Sequence, residues 1–349
     1  MKIDFHKFLK CGLAVAVAFT FASSNLTGSK TQAQTQTQSQ TQPKGAVPGT
    51  GVHITEVGDD FEDENWKYTP NLPKLHNYKD TATAKNLPAG FAINKRWFEG
   101  PKRGQPDSVR RVETPAGGLE GSTGALALKS LQTGGSYPSN VQQQDDFIAD
   151  VGNRIGLIDV SRTPSVVTRV WMPPIDEWEN RSGCHFAFRI GLRTDRHAVG
   201  RGILPEDFDG TYWPGMFVNL NSKEGRGATG QPHDSVYMWM KATADGRVLR
   251  GPNITETGWW TMGMSVTPDV QVHSYAKPGI EDLTEEDHIG SSYPFGYRAQ
   301  KFKSFFYNIC NGDDGRTWST EFVIDDPKLF IKIPGESRPT KNASSQRRN

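Results

Sequence analysis

Short runs of alternating apolar and polar residues recur between positions 53 and 333, and they constrain the fold more than any other feature. A period of two residues indicates a strand with one buried face, and Gly, Pro, Asn and Asp separate the runs. The run before Pro173-Pro174 must end there, because proline has no backbone N–H for a ladder. These patterns predict antiparallel sheets. The runs are SVVTRVWM (165–172), CHFAFRIGLR (184–193), GMFVNLN (215–221), SVYMWMKA (235–242), WWTMGMSV (259–266), VQVHSYA (270–276), FKSFFYNIC (302–310) and FVIDDPKLFI (322–331).

The two ends of the chain differ in composition from this region. Residues 1–24 combine lysines with an apolar run of about a dozen residues, typical of a secretion signal and short for a membrane span, with an uncleaved anchor as the alternative. Residues 25–52 carry a Thr/Gln-rich tract and residues 334–349 are polar and basic, so we expect both to be disordered. The sequence predicts one folded domain at 53–333. We expect a secreted, periplasmic or cell-surface protein without a membrane span after signal removal.

The overall charge narrows the class of partner. The 40 basic and 39 acidic residues leave a net charge of +1. A nucleic-acid-binding protein would carry a basic excess, so we expect no nucleic-acid partner. The sequence holds no zinc-type His/Cys spacing, no Gly-rich phosphate loop before a helix and no G-x-S-x-G. We therefore expect no required cofactor.

Segments near both ends of the alternating region resemble a known family. VGDDFEDENW (57–66) is similar to the opening strand of secreted carbohydrate-active jelly rolls, and FVIDDPKLF (322–330) is similar to their closing strand. GALALKS (124–130) resembles the strand that often follows the opening one. The chain thus resembles the concanavalin A-like lectin and glucanase jelly-roll superfamily. The resemblance implies an all-β, antiparallel β-sandwich, with the galactose-binding-type jelly roll as the alternative.

The same resemblance implies a structural Ca²⁺ that clamps the first and last strands together. Carboxylate oxygens are the hard ligands that calcium prefers. An exposed acidic rim without metal is the alternative. The predicted ligands are Asp60, Glu62, Asp325 and Asp326.

Two cysteines, Cys184 and Cys310, remain after removal of the predicted signal. In an oxidising compartment two remaining cysteines can pair. A Cys184–Cys310 disulfide is therefore predicted if the fold brings the two Cα atoms within reach.

Alternation divides each strand into two faces, one of which combines aromatic with hydrogen-bonding side chains. In 184–193 it assigns Cys184 to the side of Phe186, and His185 to the side of Arg189. Aromatic rings stack on the C–H patches of sugars, and arginine offers a bidentate partner for carboxylate or sulfate. The pattern predicts a glycan-binding face, with a polar core packed under loops as the alternative. The predicted binding residues are Arg169, Trp171, His185, Arg189, Arg193, Asn219, Trp239, Gln271, His273 and Tyr275.

The stretch VTPDVQVHSYAKPG (266–279) raises an enzymatic alternative. The jelly-roll alginate lyases, which this sequence resembles locally, use Arg-x-Glu-x-Arg, Gln-x-His and Tyr-x-Lys-x-Gly strands. Here Gly191 replaces the glutamate of the first pattern, and the other two patterns abut on one strand. A lyase on this chain would use Arg189, His273 and Tyr275 as its catalytic residues.

A glycoside hydrolase of this superfamily would need paired carboxylates on one strand. The nearest match is PIDEWE (174–179), where Pro174 occupies the position of the nucleophile. The sequence therefore predicts non-catalytic binding of a carbohydrate, with an acidic polysaccharide suggested by the arginines. The alternatives are a polysaccharide lyase or glycoside hydrolase on the same fold, and a structural, envelope-associated module without a small ligand.

Overall fold

The computed structural model describes residues 46–75, 88–133, 144–195, 210–228, 230–241, 247–293 and 298–332. All of these residues belong to one compact unit, Pro43–Asn349. The predicted signal, most of the predicted linker and the predicted tail lie outside the described residues. Within the described ranges, no helix is long and apolar enough to cross a membrane.

Eight strands form the first sheet, sheet A, and all of their pairings are antiparallel. Strands are numbered in chain order. In spatial order they are β17 (His288–Ser292), β16 (Val272–Pro278), β15 (Gly258–Val266), β9 (Ser165–Met172), β19 (Phe322–Ile331), β6 (Gly124–Lys129) and β5 (Ser108–Glu113), with β1 (Val52–Gly58) also paired to β19.

Eleven strands form the second sheet, sheet B, which is also antiparallel. In spatial order they are β14 (Val248–Ile254), β13 (Ser235–Lys241), β12 (Gly215–Asn221), β10 (Gly183–Asp195), β18 (Arg298–Cys310), β7 (Gln144–Ala149), β4 (Trp97–Glu99), β3 (Phe91–Ala92) and β2 (Tyr68–Thr69), with β11 (Thr211–Tyr212) on β10 and β8 (Ile158–Asp159) on β18. The described helical turns are α1 (Gly152–Ile155) and the 3₁₀ turns Val160–Arg162, Ile175–Glu177 and Glu285–Asp287.

The chain crosses between the two sheets repeatedly. It leaves sheet A after β9, builds β10 to β14 in sheet B, returns for β15 to β17, and then places β18 in sheet B and β19 in sheet A. Such crossings put strands that are distant in sequence side by side, as in a jelly roll. The fold is the predicted all-β, antiparallel sandwich, with the strand crossings of a jelly roll.

The core lies between the sheets and is rich in aromatic rings. Trp97 stacks on Phe147 with ring centroids 4.7 Å apart, and Tyr307 contacts Trp97 at 5.9 Å. The Tyr307 hydroxyl donates to Thr168 Oγ1 on the opposite sheet at 2.8 Å, so its polar end is satisfied within the core. Burial of each such large side chain stabilises the fold by roughly 1.5–3 kcal/mol.

The segment 46–51 packs against sheet A, although the sequence predicts it as the end of a disordered linker. Ala46 is buried, and Val47 packs beside Tyr275 and Leu283. Gly51 closes against β19, since a Cβ there would lie 2.4 Å from the backbone oxygen of Ile331. The folded region therefore begins before the predicted boundary at residue 53.

A β-bulge between Cys184 and Phe186 interrupts the alternation of β10. It turns Cys184 to the outer face of sheet B, where it packs with Ala187, and leaves His185 completely buried. The prediction that Cys184 shares a face with Phe186, and His185 with Arg189, is therefore wrong. A bulge inserts one residue without a partner, and simple alternation does not count it.

Candidate functional site

The face of sheet B that points away from the core carries adjacent rows of polar and aromatic side chains, named here the Arg189 face. In one row, Arg189 lies opposite Phe306 on one side and Gly215 on the other, and Gly215 lies opposite Lys241. The next row is centred on Phe217, which is paired with Trp239. The described members of the face are Asp146, Arg189, Phe217, Asn219, Tyr237, Trp239, Lys241, Phe306 and Asn308.

The guanidinium of Arg189 lies between two aromatic rings. Its Cζ atom is 5.3 Å from the ring centroid of Phe217 and 5.3 Å from that of Phe306. One terminal nitrogen donates to Asn308 Oδ1 at 3.2 Å and the other to the Trp213 carbonyl at 2.6 Å. Cation–π contacts and hydrogen bonds together hold the charged group in one orientation.

Asp146 completes a polar chain behind Arg189. Its Oδ1 accepts from Asn308 Nδ2 at 2.6 Å and from Gln144 Nε2 at 2.8 Å. Burial raises the pKa of Asp146, and the hydrogen bond from Gln144 and the charge of Arg189 oppose that effect. Burial also lowers the pKa of Arg189, with Asp146 opposing it. Asp146 Oδ1 accepts from the side-chain amides of both Asn308 and Gln144. Asp146 therefore holds Asn308 in the position from which its Oδ1 atom accepts from Arg189.

Two N–H donors on this face have no acceptor among the described residues. They are Arg189 Nε and Trp239 Nε1, and both atoms are buried. Buried donors are nearly always hydrogen-bonded, so two such atoms on one face, on β10 and on β13 with only β12 between them, are unusual. Ser265 Oγ, in sheet A, is the third buried polar atom of this kind. The Arg189 face therefore has hydrogen-bonding capacity that the described protein groups do not use.

Four of the predicted binding residues belong to β10, β12 and β13 on this side of sheet B. Arg189 and Trp239 form its centre, and Asn219 lies beside them with its amide donating to the Phe217 carbonyl at 3.0 Å. Arg193 is exposed further along the same side of β10. The structure thus brings Arg189, Asn219 and Trp239 together, with Arg193 nearer the end of the strand.

Five other predicted binding residues lie on sheet A instead. Arg169 anchors the loop after β16, because its side chain donates to the Ile280 carbonyl at 3.1 Å and to Asp282 Oδ1 at 2.7 Å. Trp171 packs against Val323 on the outer side of that sheet. His273 and Tyr275 belong to β16, and Gln271 lies in the turn just before that strand.

His185, the tenth predicted binding residue, lies inside the fold. Its Nδ1 atom is 2.9 Å from Thr320 Oγ1 and its Nε2 atom is 3.1 Å from the Arg181 carbonyl. Its ring also contacts Trp178, with ring centroids 5.2 Å apart. Because both ring nitrogens are occupied and the side chain is fully buried, His185 has a structural role and is not available to a ligand.

The three candidate lyase residues do not form one site. Arg189 lies on the outer face of sheet B, whereas His273 and Tyr275 lie on the outer side of sheet A. The hydrophobic core separates the two faces. The combined Arg189, His273 and Tyr275 arrangement is therefore wrong, because alternation along a strand does not say to which sheet the strand belongs.

The four carboxylates predicted to bind calcium are engaged with protein donors. Glu62 accepts from the Thr123 backbone N–H at 3.0 Å and from its hydroxyl at 2.5 Å. Asp326 accepts from Lys328 Nζ at 2.6 Å. The described residues contain no group of three or more His, Cys, Asp or Glu side chains that could hold a metal ion. Calcium stays a prediction that this geometry does not support. The other predicted ligands are Asp60 and Asp325.

Asp325 leads instead to a prediction about pH and stability. Burial raises its pKa from 3.8 to about 7, against a hydrogen bond from Ser122. Between pH 3.8 and about 7 the carboxyl of Asp325 is protonated in the native protein but ionised in the unfolded protein. The free energy of unfolding therefore falls as pH rises through this range. Asp325→Asn should raise the free energy of unfolding by roughly 1–3 kcal/mol near pH 8. Urea unfolding should show little change near pH ~4, and equal changes at both pH values would contradict the assignment.

Cys184 and Cys310 lie on adjacent strands under the aromatic part of the Arg189 face. Their Sγ atoms are 3.9 Å apart, and both side chains are buried beside Phe217. The fold thus places the two sulfurs close together, as a disulfide requires. The disulfide itself stays a prediction, because this distance is longer than the S–S bond of about 2.05 Å.

Several residues of the site are missed by sequence reasoning. Phe306 and Asn308 alternate within FKSFFYNIC, and that alternation could have placed them on one face. Asp146 and Trp213 show no such pattern in the sequence. Asp146 joins the site because β7 pairs with β18, and Trp213 joins it because its carbonyl accepts from Arg189. A sequence pattern identifies the faces of a strand but not its neighbours in the sheet.

Comparisons with known proteins give only weak likenesses. No family model matches the chain, and no curated protein matches it. An alginate lyase from Pseudomonas aeruginosa aligns with a TM-score of 0.39 and 8% identity, over 65% of this chain and 87% of its own. A carbohydrate esterase from the Shiga toxin-encoding bacteriophage phi24B gives 0.38 and 10%, over 68% and 91%. The carbohydrate recognition domain of Emp47p gives 0.35 and 8%, over 81% and 100%. Scores at this level do not identify a function, which must be inferred from the site itself.

Proposed function

We propose that the protein binds a polysaccharide bearing carboxylate or sulfate groups through the Arg189 face. The observation that supports this most is the guanidinium of Arg189, which is held in one orientation between the rings of Phe217 and Phe306 and lies in the same row as the exposed Lys241. Rings and fixed donors are the two components of sugar recognition, since a pyranose offers C–H patches and hydroxyls. An arginine held in one orientation adds an anion partner at little entropic cost.

The charge of this face favours an acidic ligand over a neutral one. Lys241 lies in the same row as Arg189, and its pKa is lowered by burial and by the charge of Arg189. Arg250 lies over the ring of Tyr237, with Cζ 3.7 Å from the centroid. The nearby carboxylate of Asp146 is engaged by amide donors. A bound anion would therefore relieve repulsion among cations that already face each other.

Binding rather than elimination is the activity that this geometry supports. A lyase needs a base and an acid beside the group that neutralises the uronate. Among the described strands of sheet B, none places a histidine on the Arg189 face, because His185 points into the core. Secretion through residues 1–24 is part of this proposal, since it would bring the protein to extracellular polysaccharides. Incubation with alginate, pectate and a sulfated galactan, monitored by ultraviolet absorbance, tests the lyase alternative.

Affinity gel electrophoresis against the same three polysaccharides and a neutral glucan tests the proposal. Wild type should be retarded by at least one acidic polysaccharide and not by the glucan. Arg189→Met should weaken that binding about 10- to 100-fold, because a charge-assisted hydrogen bond contributes roughly 1.5–3 kcal/mol.

Arg110→Met is the matched control, because it removes an exposed arginine from sheet A. It should bind like wild type. Equal retardation of wild type and Arg189→Met would overturn the proposal. If no polysaccharide retards the wild type, a structural module without a small ligand becomes the better explanation.

A further inference from the structure

A continuous chain of five polar side chains runs along the edge of sheet A, on the side of the sandwich opposite the Arg189 face. His288 Nε2 is 2.7 Å from Ser291 Oγ, and Ser291 Oγ is 2.6 Å from His273 Nδ1. His273 Nε2 is 2.8 Å from Thr267 Oγ1, and Thr267 hydrogen-bonds the carboxylate of Asp269. Neither the proposed polysaccharide site nor the core packing uses this chain.

The carboxylate at one end determines where each proton lies. Because Asp269 accepts and does not donate, the Thr267 hydroxyl must donate to it. Thr267 Oγ1 then accepts from His273 Nε2–H, which leaves His273 Nδ1 as an acceptor. The Ser291 hydroxyl donates to that nitrogen, and His288 Nε2–H donates to Ser291 Oγ. The network thus assigns the tautomers of both histidines.

This arrangement keeps His273 as a neutral base. Its side chain is 1% exposed, and burial together with the neighbouring His288 lowers its pKa to about 4. Asp269 opposes this shift. Ser291, by contrast, is only partly buried and belongs to β17, the edge strand of sheet A. A hydroxyl that donates to a neutral imidazole and can still be reached from outside has the features of an activated nucleophile.

We propose that Ser291 is the nucleophile of an ester-hydrolysing site, with His273 as its base and His288 as a donor to the oxyanion. The Ser291 oxygen would form a bond to the ester carbonyl carbon while its proton moves to His273 Nδ1. His288 Nε2–H would donate to the carbonyl oxygen as it gains the electron pair. The bond to the alcohol would then break, and the departing oxygen would take the proton from His273.

Water completes the reaction. His273 removes a proton from a water molecule, which attacks the acyl-serine and releases a carboxylic acid, so that Ser291 regains its hydrogen. The substrate class is an ester with a small acyl group, such as an O-acetyl ester. A small group fits because the nucleophile lies on a strand edge, where the five-residue β17 offers little surface to enclose a long chain. This site and the Arg189 face are on different sheets, so each can be tested alone.

A fluorophosphonate probe and p-nitrophenyl acetate test this proposal on the whole chain. Mass spectrometry should locate the phosphonate on Ser291 of the wild type. Ser291→Ala should abolish labelling and lower the rate of acetate release at least about 100-fold. Ser292→Ala changes the next residue of the same strand and should label and hydrolyse like wild type. His273→Gln should slow both reactions about 100-fold or more.

Two results would overturn the assignment. One is hydrolysis by Ser291→Ala at the wild-type rate, and the other is a wild type that neither reacts with the probe nor releases p-nitrophenol. In either case the side chains would serve only to join β16 to β17. A cooperative urea unfolding transition like that of the wild type reports whether Ser291→Ala and His273→Gln are folded.

Discussion

Replacement of Lys74 with methionine should lower the free energy of unfolding by roughly 3–5 kcal/mol. Lys74 Nζ lies 2.7 Å from Asp145 Oδ2, 2.9 Å from Asp107 Oδ2 and 2.6 Å from the Gln132 carbonyl. The two side chains of the Lys74–Asp145 pair are 4% and 0% exposed. Burial raises the pKa of Asp145, and Lys74 opposes that effect. Without the cation, a buried carboxyl would lose its main compensating charge.

The size of this effect is best judged against an exposed pair of similar geometry. Arg110 Nη2 lies 2.8 Å from Glu321 Oε1, but these side chains are 52% and 31% exposed. Solvent screens such a pair, so Arg110→Met should cost less than about 1 kcal/mol. Urea unfolding and thermal melts measure both variants, and Lys74→Met should lower Tm by on the order of 10 °C. Equal losses for the two variants would show that burial does not govern the Lys74 pair.

Acid should destabilise the protein through His185. Burial, and then the charge of Arg181, lower the pKa of His185 to about 3 from its usual 6.5. The unfolded state therefore binds a proton that the native state rejects, and stability falls as pH drops from 6.5 towards about 3. The slope from this one group is about 1.4 kcal/mol per pH unit. His185→Gln removes the titrating group and should flatten the dependence of unfolding free energy on pH across this window.

Thr320→Val separates titration from the loss of a hydrogen bond. Thr320 Oγ1 lies 2.9 Å from His185 Nδ1, and its removal should cost about 1–3 kcal/mol at every pH while leaving the slope in place. Chemical denaturation at several pH values distinguishes the two variants. A slope in His185→Gln as steep as that of wild type would contradict the role of this histidine. His273, whose pKa is also lowered by burial, should contribute to the slope that remains.

Sequence reasoning succeeds where local pattern decides the structure. SVVTRVWM is observed as the strand Ser165–Met172, with the bounds that its alternation predicts. VQVHSYA is observed as Val272–Pro278, two residues later than predicted. The shift has a local cause: Val270 adopts a φ of 65°, in the left-handed region, so it belongs to the turn that precedes the strand.

The composition of the site depends on contacts that local pattern does not encode. Arg189 lies opposite Phe306, a residue more than a hundred positions away, because β10 pairs with β18. The alternation of 270–276 correctly shows that His273 and Tyr275 share a face, but it does not show that β16 joins sheet A. The order in which the strands pair decides whether two polar strand faces lie on the same sheet or on opposite sheets.

The bulge in β10 matters to anyone who would move this binding surface onto another protein. A transplanted segment that starts at Ala187 takes its phase from the host strand, so a mismatch of one residue would bury the arginine. A segment that starts at Gly183 includes the bulge and therefore keeps the arginine on the outer face. It also includes Cys184, whose Sγ atom lies 3.9 Å from that of Cys310, so the host must leave space there. The bulge therefore sets the smallest portable unit of the surface, and that unit includes a sulfur pair as well as an arginine.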